Sequence, residues 1–283
     1  MKIASHQLAA FFEVANARSF SRAADRLNIT QSALSQRVAN LEKDLEATLF
    51  IRDSAGPRLT EAGAFLLRYC QTQSSLEQEV LSRLKKTGEE LTGVIRIAGF
   101  SSVLRSVIMP AMAKFLRTHP AVQCEFRNYQ VSELYPVLRN AEADFIVLDY
   151  HLNRNDICES VLGREEYVLI ESTEHNTRKD IYLDNDPDDN ATESFFQMQS
   201  STPKKFLRAF MGDVYGILNG VELGLGRAVM SRHLLKESSK TKIVGGYKKY
   251  FRDITLNYYQ QAYYSDLHKK IIDVLNTECS KYL

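Results

Sequence analysis

Residues 19–38 read SFSRAADRLNITQSALSQRV. It divides into two short helices about a tight turn. Ala23, Ala24 and Leu27 are small or apolar and let one helix lie close to another, with Ser21 placed to cap the first. Asn28 and Ile29 form the turn. Thr30 occupies the N-cap position of the second helix, where its hydroxyl can accept from an amide that the helix leaves without an internal partner. Leu34, Val38, Leu41 and Leu45 then recur at i, i+4, i+7 and i+11 and mark one buried face. The opposite face carries Gln31, Ser32, Ser35, Gln36, Arg37 and Asn40. Amides, hydroxyls and a guanidinium are the groups that read base edges and hold phosphates. A helix that needs only solubility more often shows Glu and Lys pairs, and an ordinary polar face is the competing reading.

Upstream, Leu8, Phe11, Phe12 and Ala15 predict an amphipathic helix with Ser5 as its cap. Downstream, Leu49 and Phe50 look buried, Arg52 to Arg58 form a short basic hairpin around Ser54–Gly56, and Thr60 with Glu61 opens another helix. In the order LxxFFEVAxxxSFSRAADRLNITQSALSQRVxxLEKxLxxxLFxRxxxxxRLTEAG, these first sixty-odd residues resemble the winged helix-turn-helix of the LysR-type transcriptional regulators. ITQSALSQRV followed by GPRLT is similar to the subgroup that regulates basic amino-acid transport. The resemblance implies sequence-specific binding to double-stranded operator DNA, modulated by a small-molecule effector, an amino acid being one candidate. It also implies self-association to a dimer and tetramer, with RNA polymerase as a candidate partner. Gln31, Ser32, Ser35 and Gln36 are then expected to meet bases, and Ser21, Arg22, Arg37, Arg52 and Arg58 phosphates or the minor groove. Many relatives have proline where this chain has Ser32.

Composition bounds the rest. The 283 residues carry 36 Lys and Arg against 35 Asp and Glu, so the molecule as a whole is not a polycation. Residues 1–60 hold eight basic against six acidic side chains. Attraction to phosphate must therefore come from the placement of a few arginines, doubled in a dimer. No secretory apolar region and no run long enough to span a bilayer is found. Cys70, Cys124, Cys158 and Cys279 are far apart and make no CxxC pair, which fits a reducing, cytoplasmic setting and argues against a peroxide-sensing pair. The six histidines show no HExxH or His/Cys cluster, so neither a metal nor a cofactor is expected.

From Glu61 to about Thr87 the pattern is that of one long helix. Leu66, Tyr69, Leu76, Val80 and Leu84 form an a/d-like stripe with Gln73 inside it. A long helix with a narrow apolar stripe needs a partner, either its own domain or, as the resemblance implies, the same helix of a second copy. Gly88 to Gly93 closes the helix and makes a hinge. The chain then alternates: GVIRIAGF as strand, SSVLRSVIMPAMAKFLRTHP as helix, AVQCEFRNY as strand, SELYPVLRNAEA as helix and DFIVLDY as strand. Alternation of this kind predicts a parallel α/β sheet. GREEYVLIES reads as a further strand, and DVYGILNGVELGLGRAVMS as helix, turn and strand. The GLGRAV run lacks the third glycine of a nucleotide fingerprint and follows a helix rather than a strand.

The resemblance organises these elements into a winged helix-turn-helix domain at 1–60, a linker and dimerisation helix with hinge at 61–92, and an effector-binding domain at 93–283. The last is built like a periplasmic solute-binding protein, two Rossmann-like lobes joined by two crossover strands. Lobe one takes 93–152 and 256–283, lobe two takes 153–255, and the return strand lies in ITLNYYQQAYYS before the final helix DLHKKIIDVLNTEC.

Ligands of such folds bind at the carboxyl ends of strands, often against helix N-termini. Ser101 and Ser102 follow the first strand, and Tyr129, Gln130 and Ser132 precede the next helix, so these residues are candidates to line the cleft. Across it, Asp213 opens a helix, either as its cap or as a carboxylate facing a cationic ligand. Plain capping is equally open for Ser101 and Ser102. The acid-rich segment Asp184–Asn190 mimics a calcium loop at Asp184, Asp186 and Asp188, but Pro187 interrupts it and position twelve is Phe195. A solvated loop ending in an Asp or Asn cap is the expectation. Two further functional readings stay open: an effector-independent regulator, and a small-molecule-binding protein or enzyme with a vestigial helix-turn-helix. Against an enzyme, no Ser/His/Asp order and no paired carboxylates stand out.

Overall fold

The computed structural model describes residues 3–53, 56–84, 91–200, 203, 207–237 and 240–283. Helices α1 (Ser5–Ala17), α2 (Phe20–Arg26) and α3 (Gln31–Asp44) are followed by an antiparallel wing, β1 (Phe50–Asp53) and β2 (Gly56–Leu59), in which Phe50 faces Leu59 and Asp53 faces Gly56. Ala10, Phe11, Val14, Ala23, Leu34, Val38 and Leu41 are fully buried and pack with Leu49 and Phe50 into one core. The Phe50 ring packs at a tilt against Phe11 at 5.3 Å and edge-on against Phe20 at 5.9 Å, so the wing is tied to both α1 and α2. Asn28 has φ 52°, the left-handed residue that reverses the chain between α2 and α3.

Two expected caps are corrected. Ser5 is the first residue of α1, behind Ala4, and no side chain caps that end. Ser21 lies inside α2, and Ser19 is its cap, its Oγ accepting from Arg22 N at 3.3 Å. The stripe of α1 is also rotated: Phe11 is buried with Gln7, Ala10 and Val14, while Leu8, Phe12 and Ala15 only flank the core.

Thr60 caps the long helix α4 (Glu61–Leu84), accepting from Gly63 N at 3.0 Å. Gly63 is obligatory, because a Cβ there would lie 2.1 Å from the carbonyl oxygen of Leu49. Leu66, Leu67 and Cys70 are buried against the chain's own first domain, while Phe65, Tyr69, Leu76, Val80, Leu81 and Leu84 are exposed. Leu66 therefore does not belong to the outward stripe, which begins with Phe65 and Tyr69. The expected continuation to Thr87 and the hinge residues Gly88 to Glu90 lie outside the described residues.

Strand β3 (Gly93–Gly99) leads into α5 (Ser101–Val103), a π-helical turn Leu104–Ile108 and α6 (Met109–Thr118). Pro110 has no amide to give to the preceding turn, and the helix passes this point in its wider π form. Then come β4 (Val122–Asn128), α7 (Val131–Arg139), β5 (Phe145–Leu148), the long β6 (Ile157–Ser172), β7 (Ile181–Asp184), α8 (Ala191–Gln197), β8 (Leu207–Phe210), α9 (Val214–Glu222) and β9 (Ala228–Ser231). A 3-10 segment Arg232–Glu237, β10 (Thr241–Ile243), β11 (Tyr250–Tyr259), α10 (Asp266–Glu278) and a final 3-10 turn complete the chain.

The main sheet runs β10-β6-β11-β5-β3-β4, with β9 also paired to β6, while β7 and β8 form a separate parallel pair. β3 is parallel to both β4 and β5, as alternation predicts, whereas β11 is antiparallel to β5 and β6. Strands β6 and β11 are the two crossovers, and β11 begins at Tyr250, four residues before the expected return strand. Separate apolar clusters serve the two lobes: Ile95, Ile97, Phe145, Leu256 and Ile271 in one, Val168, Leu183, Ile217 and Met230 in the other.

The segment Asp184–Asn190 is not a solvated loop throughout. Asp184 ends β7, is 1% exposed, pairs with Arg208 Nε at 2.5 Å and accepts from Thr192 Oγ1 at 2.5 Å. Arg208 also donates to the carbonyl of Asp189. A buried carboxylate with a guanidinium partner makes this corner a folded one. Asp189 Oδ1 accepts from Ala191 N at 2.9 Å, and Asn190 caps nothing with its side chain.

Candidate nucleic-acid interface and interlobe cleft

Helix α3 is pinned at both ends. Thr30 Oγ1 accepts from Ala33 N at 3.2 Å, as expected of the cap. At the other end, Glu42 Oε1 accepts from Leu49 N at 2.7 Å and Phe50 N at 3.2 Å, tying the helix to the first wing strand. Gln7 Nε2 donates to Asp44 Oδ2 at 2.9 Å, which fixes α1 to the same end. With Leu34, Val38 and Leu41 fully buried beneath it, this helix presents a rigid outer surface.

On that surface Gln31, Ser32, Gln36 and Asn40 are exposed, while Ser35 and Arg37 are half-buried. At ~100° per residue, Ser35 and Arg37 lie roughly 160° apart around the axis. Ser32, Ser35 and Gln36 can thus enter a groove together, and Arg37 stands at the opposite edge rather than on the same face. Asn40, the last member of the polar face, accepts from Gln36 Nε2 at 2.8 Å and orients that amide. Ser32 Oγ lies 3.0 Å from the capping hydroxyl of Thr30. Ser21 and Arg22 are exposed in the first turn of α2, and Arg58 is exposed on β2. The side chain of Arg52 lies outside the described residues.

In the second half, the parallel register of β3 and β4 sets Gly99 beside Asn128, and Tyr129 N donates to Gly99 O at 3.2 Å. Ser101, Ser102, Tyr129 and Gln130 consequently share one end of the sheet. Ser102 is buried and Ser101 half-buried. Gln130 is the exposed N-cap of α7 in a reciprocal box with Glu133. Asp213 acts as the cap of α9, its Oδ1 accepting from Tyr215 N at 2.8 Å and Gly216 N at 2.9 Å. That helix end faces the first lobe, because the Arg105 guanidinium lies 4.3 Å over the Tyr215 ring.

Several side chains in this cleft carry no local sequence signal. Arg252 on β11 donates to Asp149 Oδ2 at 2.6 Å and to Asn190 Oδ1 at 2.6 Å. Burial alone would lower its pKa, but Tyr167, Tyr250 and Asp149 outweigh it and the guanidinium is held still more firmly charged. Asn185 Nδ2 reaches Gln130 Oε1 at 3.5 Å. Ser106 Oγ lies 2.5 Å from the carbonyl of Ser102 and 3.0 Å from His233 Nδ1. A carbonyl only accepts, so Ser106 gives its proton there and must accept from His233 Nδ1–H. His233 Nε2 in turn meets the fully buried Glu165 at 2.6 Å, and that carboxyl also accepts from Tyr167 at 3.1 Å.

The four thiols are free. Burial pushes Cys70 up to about 11, and Cys124 and Cys279 up to about 12, far from the thiolate character that redox sensing needs. Among the described residues no group of three His, Cys, Asp or Glu could hold a metal ion, and no helix is long and apolar enough to cross a membrane.

Two family models match, a bacterial regulatory helix-turn-helix protein of the lysR family over residues 5–64 and the LysR substrate binding domain over residues 88–280. The chain belongs to the LysR family. Among curated relatives of this LysR-family chain, the transcriptional activator IlvY of Salmonella typhimurium is 29% identical over 140 residues, which is 50% of this chain and 48% of IlvY. The chain thus spans about half the length of the first curated relatives it matches. Among solved structures, ArgP from Mycobacterium tuberculosis superposes with TM-score 0.81 at 21% identity, covering 99% of this chain and 98% of ArgP. LysG from Corynebacterium glutamicum, solved with bound effector Arg, gives TM-score 0.77 at 17% identity over 100% and 99% of the two chains. At these identities the structural likeness speaks for the fold.

Proposed function

We propose that this LysR-family chain is a transcriptional regulator that binds operator DNA sequence-specifically and is modulated by a small molecule in the interlobe cleft. The observation that carries the reading is the outward set Ser32, Ser35 and Gln36 on a helix held rigid from its buried side. Gln36 and Ser35, with Gln31 and Ser32, read bases, while Ser21, Arg22, Arg37, Arg52 and Arg58 hold the backbone. The working division is 1–60 for DNA, 61–92 for pairing and 93–283 for the effector. Two copies pair along the exposed stripe Phe65, Tyr69, Leu76, Val80 and Leu84, and pairs of dimers bind a broken palindrome in the cytoplasm. Because LysG was solved with bound effector Arg, L-arginine is the first ligand to try against Ser101, Ser102, Tyr129, Gln130 and Asp213.

The test selects duplexes from a random library and titrates the full chain against a selected site and a shuffled one at two salt concentrations. Gln36→Ala is expected to lower discrimination by about 1–3 kcal/mol. Arg58→Ala is expected to weaken both duplexes and flatten the salt dependence. Equal losses on both duplexes for Gln36→Ala would remove it from base reading. L-Arginine in excess should raise the melting temperature by mass action. One observation favours a second reading, in which the lobes serve assembly alone: Gln130, Asp149, Asn190 and Arg252 are already bonded to cleft neighbours. Absence of a thermal shift with every amino acid would select it.

A further inference from the structure

Lobe one grips the DNA-binding half of its own chain. The turn after α7 inserts Ala141 into the core formed by α1 to α4, where its methyl is 5% exposed among residues such as Phe11, Leu66 and Cys70. Ala141 has φ 56°, and a non-glycine residue stays in that region only where its surroundings hold it. Its carbonyl accepts from Gln71 Nε2 at 3.4 Å, and the carbonyl of Arg139 accepts from Arg68 Nη1 at 2.8 Å. Next to it, Glu142 pairs with Arg18 at 2.7 Å. Arg18 is the left-handed residue that ends α1, and its carbonyl oxygen would be 3.3 Å from a Cβ at Gly56 in the wing. One side chain of lobe one therefore reaches the turn beside which the end of α1 and the wing meet.

The grip continues along α4. The Arg68 guanidinium lies 4.0 Å over the Tyr259 ring, Thr72 Oγ1 is 2.9 Å from Gln261 Oε1, and Tyr263 donates to Glu79 at 2.8 Å. At its opposite end α7 is capped by Gln130, which Asn185 reaches from across the cleft. Leu134, Val137 and Leu138 bury α7 against the sheet, so the helix moves with lobe one as a body.

We propose that lobe one and the winged helix-turn-helix form a single docked unit through Asn140–Ala141–Glu142. This dock sets the angle of the recognition helix and hence the half-site separation that the dimer accepts. The proposal rests on the reading of the chain as a dimeric operator binder. Glu142 and Arg18 act as positioning residues, since neither belongs to the base-reading set. Their ion pair is partly exposed, and such a pair alone is weak. The dock depends chiefly on the Ala141 methyl and the two accepted carbonyls.

The experiment uses full-length wild type, Ala141→Asp, Glu142→Arg, Arg18→Glu and the Arg18→Glu/Glu142→Arg swap. Sites are selected from random duplexes, the half-site separation is scored, and hydrogen exchange is followed in the peptide covering residues 14–18. Wild type should return one separation. Ala141→Asp should accept separations differing by one or more base pairs, weaken the wild-type site roughly two- to thirtyfold and speed exchange at 14–18. The single reversals should do the same to a smaller extent, and the swap should restore wild-type behaviour. An unchanged separation and unchanged exchange in Ala141→Asp would overturn the proposal. Circular dichroism separates undocking from unfolding, and if Ala141→Asp unfolds, the reversals and their swap decide. Should wild type return no repeated half-site, the dimeric reading fails while the exchange data still decide the dock.

Discussion

The two halves of the chain handle polar groups in opposite ways. In the first half most of them point outward from helices whose positions are fixed by apolar burial, and several have partners three to eight residues away: Thr30 with Ala33, Gln36 with Asn40, Glu42 with Leu49 and Phe50. The part-buried pair of Gln7 and Asp44 is an exception. In the second half they point inward and find partners across the whole domain, as Arg252 does with Asp149 and His233 with Ser106 and Glu165. A reading head must keep its donors and acceptors free for a ligand that arrives from solvent. A two-lobed domain must satisfy buried groups at the place where its parts meet, because an unpaired polar group there is costly.

Substitutions can break this contrast or sharpen it. The largest effect is expected in the apolar support of the head: Leu41→Ala should cost about 3 kcal/mol in urea denaturation and abolish selective DNA binding. In the second half, Arg252→Met should cost about 2 kcal/mol by leaving the Asp149 carboxylate behind, while adding Asp149→Leu should recover most of the loss. A single variant no worse than the double would show that the pair is not coupled. The two caps come next. Thr30→Ala and Asp213→Ala should each cost about 1 kcal/mol, yet only Thr30→Ala should reduce operator affinity, as gel shift can measure.

The smallest effect is one of pH. His151 bonds Glu159 at 2.5 Å and Asp253 at 3.2 Å, with Arg164 on the far side of Asp253. The hydrogen bond to Glu159, then that to Asp253, raises the imidazole above its ordinary 6.5. A raised folded value means that the stabilisation is complete below about 6.5 and fades as pH climbs through the folded value. The ring is 39% exposed, so water screens the pair and the contribution is at most about 0.5 kcal/mol. His151→Gln should flatten the thermal melt against pH between 6 and 8, and an unchanged slope would count against the pairing.

The same contrast governs what could be read without coordinates. Helix periodicity, the turn at Asn28, the Thr30 cap and the basic hairpin are local patterns, and each has its counterpart in the structure. The errors in that half are small shifts and rotations: Ser19 rather than Ser21 caps α2, and Leu66 faces its own domain. Each arises because burial depends on which neighbour a helix meets, which spacing alone does not state. In the second half the strand ends are legible, and Ser101, Ser102, Tyr129 and Gln130 share one end of the sheet as their positions after β3 and β4 imply. Arg252, Asp149 and His233 left no trace, since their partners lie roughly a hundred positions away. Asp184 was read as part of a solvated acidic run because nothing near it announces Arg208.

Strand β11 sits between β6 and β5, in the middle of the main sheet, yet it is the last strand of the chain to be made. While the ribosome works, residues 3–84 already contain, among the described residues, the members of their own core apart from Ala141. Strands β3, β4 and β5 must by contrast wait with an open edge until residues 250–259 emerge, and the crossover β6 waits with them. Synthesis therefore delivers a finished winged helix-turn-helix well before a finished second domain. A nascent or truncated chain ending before residue 250 would carry the first without the second, together with an unpaired sheet edge of the kind that invites aggregation.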